Sequence, residues 1–164
     1  MTKILGVDPG VAKCGWAIVE PHKVVDCGIF SPGSSQKAFN DKLNEELILS
    51  VKFFREKLKE VDAVAWEIVP SFGAMSQRDR VVGVATALKF VTWEMGLPWV
   101  GRVPMSIKKM ATGSGKATKD DMKAVALQRF PDLAKAGKLP ADVFDAVMIA
   151  DVARRKGEWS HERF

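Results

Sequence analysis

Apolar and polar positions change their rhythm several times along the chain, and each rhythm predicts an element. Residues 3–8 (KILGVD), 14–20 (CGWAIVE) and 23–30 (KVVDCGIF) are short apolar runs broken by Pro9-Gly10 and Pro21-His22. They predict an antiparallel meander of three strands. Phe39, Leu43, Leu47, Val51, Phe54 and Leu58 then recur at helical spacing, so an amphipathic helix is expected over 36–60, entered from the SPGSS turn. DAVAWE (62–67) reads as a fourth strand, and the broken stretch IVPSFGAMSQRDR leads into a second helix from about Gln77 to about Glu94. A fifth strand spans Pro98 to Val103, followed by a basic, glycine-containing loop. Thr118 with Asp121 three residues on caps a helix that Pro131 ends. The last helix opens at Pro140, a residue suited to a first helical turn. The expected class is α/β: a five-stranded mixed sheet, meander first and parallel strands after, flanked by helices. No repeat and no long linker divides residues 1–164, which predicts one domain.

Composition supports a folded globule, since 47% of the 164 residues are hydrophobic and only 13 are Gly and 8 Pro. No apolar run suits a signal peptide or approaches the roughly 18 to 20 residues of a membrane span, so a soluble, cytoplasmic protein without a membrane partner is expected. Cys14 and Cys27 are too few for a disulfide framework and lack zinc-site spacing; both are expected to be reduced thiols. Charge adds more. With 25 Lys and Arg against 20 Asp and Glu, the net charge is +5. Six of the basic residues (Arg102, Lys108, Lys109, Lys116, Lys119, Lys123) fall between 102 and 123 beside Gly113 and Gly115, as on an edge that faces phosphates.

Four acids stand where acids are costly. In ADVFDAVMIADVARR, Asp142 and Asp145 sit one turn apart near the start of a strongly apolar helix and project from one face. Asp8 ends the first strand and Glu67 the fourth, so both emerge at strand ends, where α/β sheets keep their sites. Each acid alone has an ordinary explanation: Asp8 belongs to an Asp-Pro-Gly turn, and Asp142 favours a helix dipole. Together they suggest convergence, which needs a cation, and hard oxygen donors in that number favour Mg²⁺ or Mn²⁺ over zinc.

In order and spacing, ILGVDPG, the Glu67 strand end, IKKMATGSGKATKDD and PADVFDAVMIA resemble the RuvC Holliday-junction resolvases over nearly the whole chain. The resemblance implies a ribonuclease H-like fold and a homodimer that hydrolyses symmetric phosphodiesters in four-way DNA junctions. It implies two Mg²⁺ ions per site, replaceable by Mn²⁺, held by Asp8, Glu67, Asp142 and Asp145. Asp8, central in the sheet, is the expected shared ligand. Lys119, and after it Lys108, fall at the family's lysines near the cut. Lys109, Gly113, Ser114, Gly115 and Lys116 complete a DNA-binding loop. The family usually has an aromatic soon after the catalytic Glu; here Phe72 comes slightly later, behind Pro70, and reads equally as a base-stacking residue or a core plug. Arg78 and Arg80 are candidate phosphate contacts on the same segment. The compact chain and altered loop are similar to phage or mobile-element members.

Other readings fit less well. GSGKAT is not a phosphate-binding P-loop, because Met110 and Ala117 stand where that motif requires Gly and Ser or Thr. The Asp-Pro-Gly strand and hairpin also open the sugar kinases and actin-like ATPases, which need a second domain. A broader flap or branched-DNA nuclease, a nuclease of RNA–DNA hybrids and a non-catalytic DNA-binding module remain as alternatives. Finally, Val81, Val82, Val84, Ala85, Leu88, Val91 and Met95 make the second helix apolar over more than one face. The excess predicts a two-fold interface.

Overall fold

The computed structural model describes residues 3–33, 39–69 and 75–162. Its strands are β1 (Ile4–Asp8), β2 (Cys14–Glu20), β3 (Lys23–Phe30), β4 (Ala63–Glu67) and β5 (Trp99–Arg102). The helices are α1 (Phe39–Leu58), α2 (Met75–Glu94), α3 (Pro104–Thr112), α4 (Lys119–Arg129) and α5 (Ala141–Lys156), with a 3-10 turn over Pro131–Ala136. The sheet order is β3-β2-β1-β4-β5. The meander is antiparallel, as expected, and β4 and β5 add to it in parallel. Among the described residues no helix is long and apolar enough to cross a membrane.

Each face of the sheet has its own core. Ile4, Ala17, Val19, Ala63 and Ala65 point toward α4 and α5, where Met122, Ala126, Phe144, Ala146, Val147 and Ala150 cover them. Leu5, Val7, Trp16, Ile18, Val64 and Trp66 point the other way and pack on Phe54, Leu58, Val84, Leu88 and Val91 of α1 and α2. The alternation along each strand thus assigns every second residue to one layer.

α5 comes unusually near the sheet because glycines leave room for it. A Cβ on Gly6 would lie 2.1 Å from the Ala146 carbonyl oxygen, and one on Gly15 would lie 2.1 Å from that of Asp142. The start of α5 is thereby set directly over the end of β1 and the start of β2.

Three expectations change. The loop predicted after β5 is mostly helix: α3 starts with Pro104 and ends at Gly113 in the left-handed region (φ 88°), the two residues that most favour a helix start and stop. Pro140 is the residue before the first turn of α5 and not within it. On α1, Leu47 faces solvent although its spacing predicted burial, while Glu46 is 3% exposed. The reason is Arg80 of α2, whose guanidinium forms a two-pronged ion pair with Glu46 and makes a buried carboxylate affordable. As predicted, Thr118 and Asp121 form a reciprocal capping box at the start of α4.

Candidate active site

Asp8 occupies the last position of the central strand, and Glu67 follows Trp66 on β4, which pairs with Val7 in parallel register. The two carboxyls therefore leave the sheet side by side. On the other flank Asp8 pairs with Gly15, over which Asp142 is seated. One carboxylate oxygen each from Asp8, Asp142 and Asp145 lie within 4.8 Å of one another. Glu67 is outside that triplet, but it lines, with Asp8, Asp145, Lys108 and Lys119, a cleft of about 260 Å³ floored by Pro104, Ile107, Met122 and Ile149. The four predicted acids thus form two overlapping groups that share Asp8 and Asp145.

Burial and mutual repulsion dominate their electrostatics. The Asp8 carboxyl is pushed up to about 8, first by burial and then by Glu67, Asp145 and Asp142. Glu67 is raised to about 7 by burial and by Asp145, against the pull of Lys108 and Lys119. Burial also raises Asp145, with Lys119 opposing. The Cys14 thiol, buried beside Asp8, is pushed up to about 12, so it stays protonated.

One cation is already present. Lys119 Nζ donates to Asp142 Oδ1 at 2.7 Å and lies 3.6 Å from Asp145 Oδ2, and the Asp142 bond holds its ammonium above the ordinary lysine value. An ammonium bonded to one carboxylate and close to a second, beside a buried third, marks a donor set suited to a small hard divalent cation. The residues present fit such a metal.

The remaining candidates separate by position. Lys108 reaches the cleft from α3, and Lys109 is exposed on the same helix. Gly113, Ser114, Gly115 and Lys116 form the connection to α4, ordered by a bond from the Ser114 amide to Thr112 Oγ1 (3.1 Å) and by the approach of Gly115 to Met105. Phe72 lies outside the described residues, as does the side chain of Arg78. Arg80 is engaged by Glu46, an ion pair that ties α1 to α2. Sequence reasoning passed over Asp151, Arg154 and Arg155, although their i, i+3 and i+4 spacing was visible in DVARRK.

The family model of crossover junction endodeoxyribonuclease RuvC matches residues 4–152. The curated RuvC of Prochlorococcus marinus is 31% identical over 151 residues, covering 90% of this chain and 92% of that one. The RuvC of a Synechococcus species is 31% identical over 160 residues, covering 90% and 95%. Among solved structures, Thermus thermophilus RuvC in complex with a Holliday junction substrate superposes with a TM-score of 0.80 at 20% identity, over 98% of this chain and 99% of that one. The likeness in structure shows the architecture to be the ribonuclease H-like fold.

Proposed function

The chain belongs to the RuvC family, and from that premise we propose that it is a crossover junction endodeoxyribonuclease that resolves four-way DNA junctions by metal-dependent hydrolysis of paired phosphodiesters. The observation that carries the reading is the gathering of Asp8, Asp142 and Asp145 oxygens within 4.8 Å, from segments far apart in the chain. Asp8, Asp142 and Asp145 would hold one divalent cation. Asp8 and Asp145 with Glu67, which lines the same cleft, would hold a second. The ions are Mg²⁺, with Mn²⁺ able to substitute. Held by these carboxylates, such ions would supply activation of the attacking water and charge compensation at the departing 3′ oxygen.

The chain's own groups do the positioning. Burial and the neighbouring acids hold the Asp8 carboxyl well above its ordinary value, so a divalent cation there would compete with a proton. Lys119, its side chain 60% exposed at the mouth of the cleft, is placed to neutralise a phosphate that approaches the acids, and Lys108 flanks Glu67 in the same way. Lys109 and Lys116 extend this basic edge along the backbone of the substrate, and the Ser114 hydroxyl adds a neutral hydrogen-bonding group between them.

Two cuts on opposed strands call for two identical sites related by a dyad. The homodimer is supported by the apolar excess of α2, where Val82, Phe90 and Trp93 are exposed, with Met95 just past its end and Leu47, Ile48 and Leu49 exposed on α1.

The test offers labelled four-way junction, linear duplex, flap and RNA–DNA hybrid to the protein in Mg²⁺ or EDTA, with Asp8→Asn alongside. Paired nicks in the junction, lost in EDTA and reduced more than about 100-fold in the variant while DNA binding persists, are expected. Equal cutting in EDTA would refute the mechanism. Preference for hybrid or flap would replace the substrate.

A further inference from the structure

Asp151, in the second half of α5, has no exposure to solvent, and three arginines converge on its carboxylate. Arg129 Nε lies 2.6 Å from Oδ2, Arg155 Nε 2.9 Å from Oδ2 and Arg154 Nη2 3.1 Å from Oδ1. Their side chains remain 34%, 31% and 19% exposed, and Lys156 follows in the same turn. One carboxylate cancels one of these charges, so the node keeps a positive surplus at the surface.

Helix dipoles and a tie between α4 and α5 are the ordinary uses of such residues, and Arg154 also donates to the Pro21 carbonyl oxygen at 3.4 Å, but none of these uses requires Arg155. The arginines beyond the first are drawn partly out of water around a carboxylate that is already neutralised, which an anion would offset. Arg154 Nε, in addition, is buried without a hydrogen-bond partner among the described residues.

Location gives that anion a class. Lys119 bonds Asp142 at one end of the α4–α5 seam, Lys123 lies 5.5 Å over the Phe144 ring in the middle, and Arg129 meets Asp151 at the far end. The two helices run parallel, and their seam carries basic groups at three levels away from the acid cluster. With a rise of 1.5 Å per residue, Arg155 lies about 15 Å along α5 from Asp145. That span corresponds to about four stacked base pairs.

We propose that the arginine node around Asp151 is a second phosphodiester-backbone contact, holding a duplex arm of the DNA about four base pairs from the site of cleavage. The proposal rests on the functional reading above, because it presumes that DNA occupies the acid cluster.

The experiment pairs Arg155→Gln/Lys156→Gln with junctions whose phosphates are made neutral, as methylphosphonates, between three and six base pairs from the cleavage site. Binding is measured in the Asp8→Asn background so that the DNA stays intact. The double variant is expected to bind the unmodified junction about 10-fold more weakly, with the slope of log affinity against log salt reduced by about two. The neutral patch should weaken the parent protein similarly and leave the variant nearly unaffected. Additive losses, or an unchanged salt slope, would overturn the node's role. Arg129 and Arg154 still hold Asp151 in this variant, and its thermal melting reports whether the fold persists. Should it not, Lys156→Glu, which leaves every bond to Asp151 intact, gives the same comparison. A parent protein that binds no junction at all would overturn the functional reading itself, whereas normal binding by both proteins overturns only the node.

Discussion

On one face of the sheet, α5 rests almost on bare backbone, with Gly6 and Gly15 leaving no room for so much as a methyl group beneath it. On the other, α1 and α2 stand off on Trp16, Phe54, Trp66 and branched side chains, and leave Val82, Phe90 and Trp93 facing solvent. The first arrangement gives precision: the two carboxylates on α5 are referenced directly to the strand that carries Asp8. The second gives area, which suits association more than chemistry. Catalytic geometry here depends on the absence of side chains, and the proposed self-association on their excess.

Small changes should therefore have opposite signs on the two faces. Gly15→Ala is expected to lower stability by about 3 kcal/mol in urea titration, because backbone and not a flexible side chain opposes the new methyl. Gly83→Ala on α2, where the nearest foreign atom is Leu43 Cδ1 at 3.7 Å, should raise stability by up to about 1 kcal/mol. A loss at Gly83 matching that at Gly15 would erase the contrast.

Charge on the outer face should cost assembly and spare the site. Trp93→Glu is expected to weaken self-association by about 100-fold while leaving the monomer folded. Light scattering against concentration checks it, and a wild-type protein that is monomeric at micromolar concentration would contradict the dimer.

The inner face should answer to protons and cations together. Metal-free, the folded protein holds protons on Asp8 and Glu67 up to about 8 and about 7, which the unfolded chain releases near its ordinary carboxyl values. Their contribution favours the fold at low pH and is lost as pH rises through that range. A divalent cation must displace those protons, so the Mg²⁺-induced rise in melting temperature should be larger at pH 9 than at pH 6, and Asp8→Asn should flatten the difference. The opposite trend would place cation binding elsewhere. Smallest of all, Thr118→Ala should cost about 1 kcal/mol through loss of the capping box that positions Lys119 at the head of α4.

Strands were legible because their apolar runs are short and punctuated: the run at 62–67 becomes Ala63–Glu67, and that at 98–103 becomes Trp99–Arg102. α3 was missed because its lysines and the glycines that follow resemble a loop, although Pro104 and Gly113 mark its ends. The ion pair of Arg80 was illegible for a different reason. Its partner Glu46 lies on another helix, and no local pattern tells a paired arginine from one that awaits phosphate.

By itself the amino-acid sequence determined which residues alternate into which layer, where strands and helices begin, and that four acids stand at costly positions. All of that depends on neighbours within a turn or a strand. Only the tertiary structure decided that Asp8, Asp142 and Asp145 meet while Glu67 lines the same cleft outside that triplet, that Lys119 already bridges two of them, and that three arginines share Asp151. Distances between side chains on separate elements are set by how closely backbones pack, and that closeness rests on glycines whose contribution is the atoms they lack.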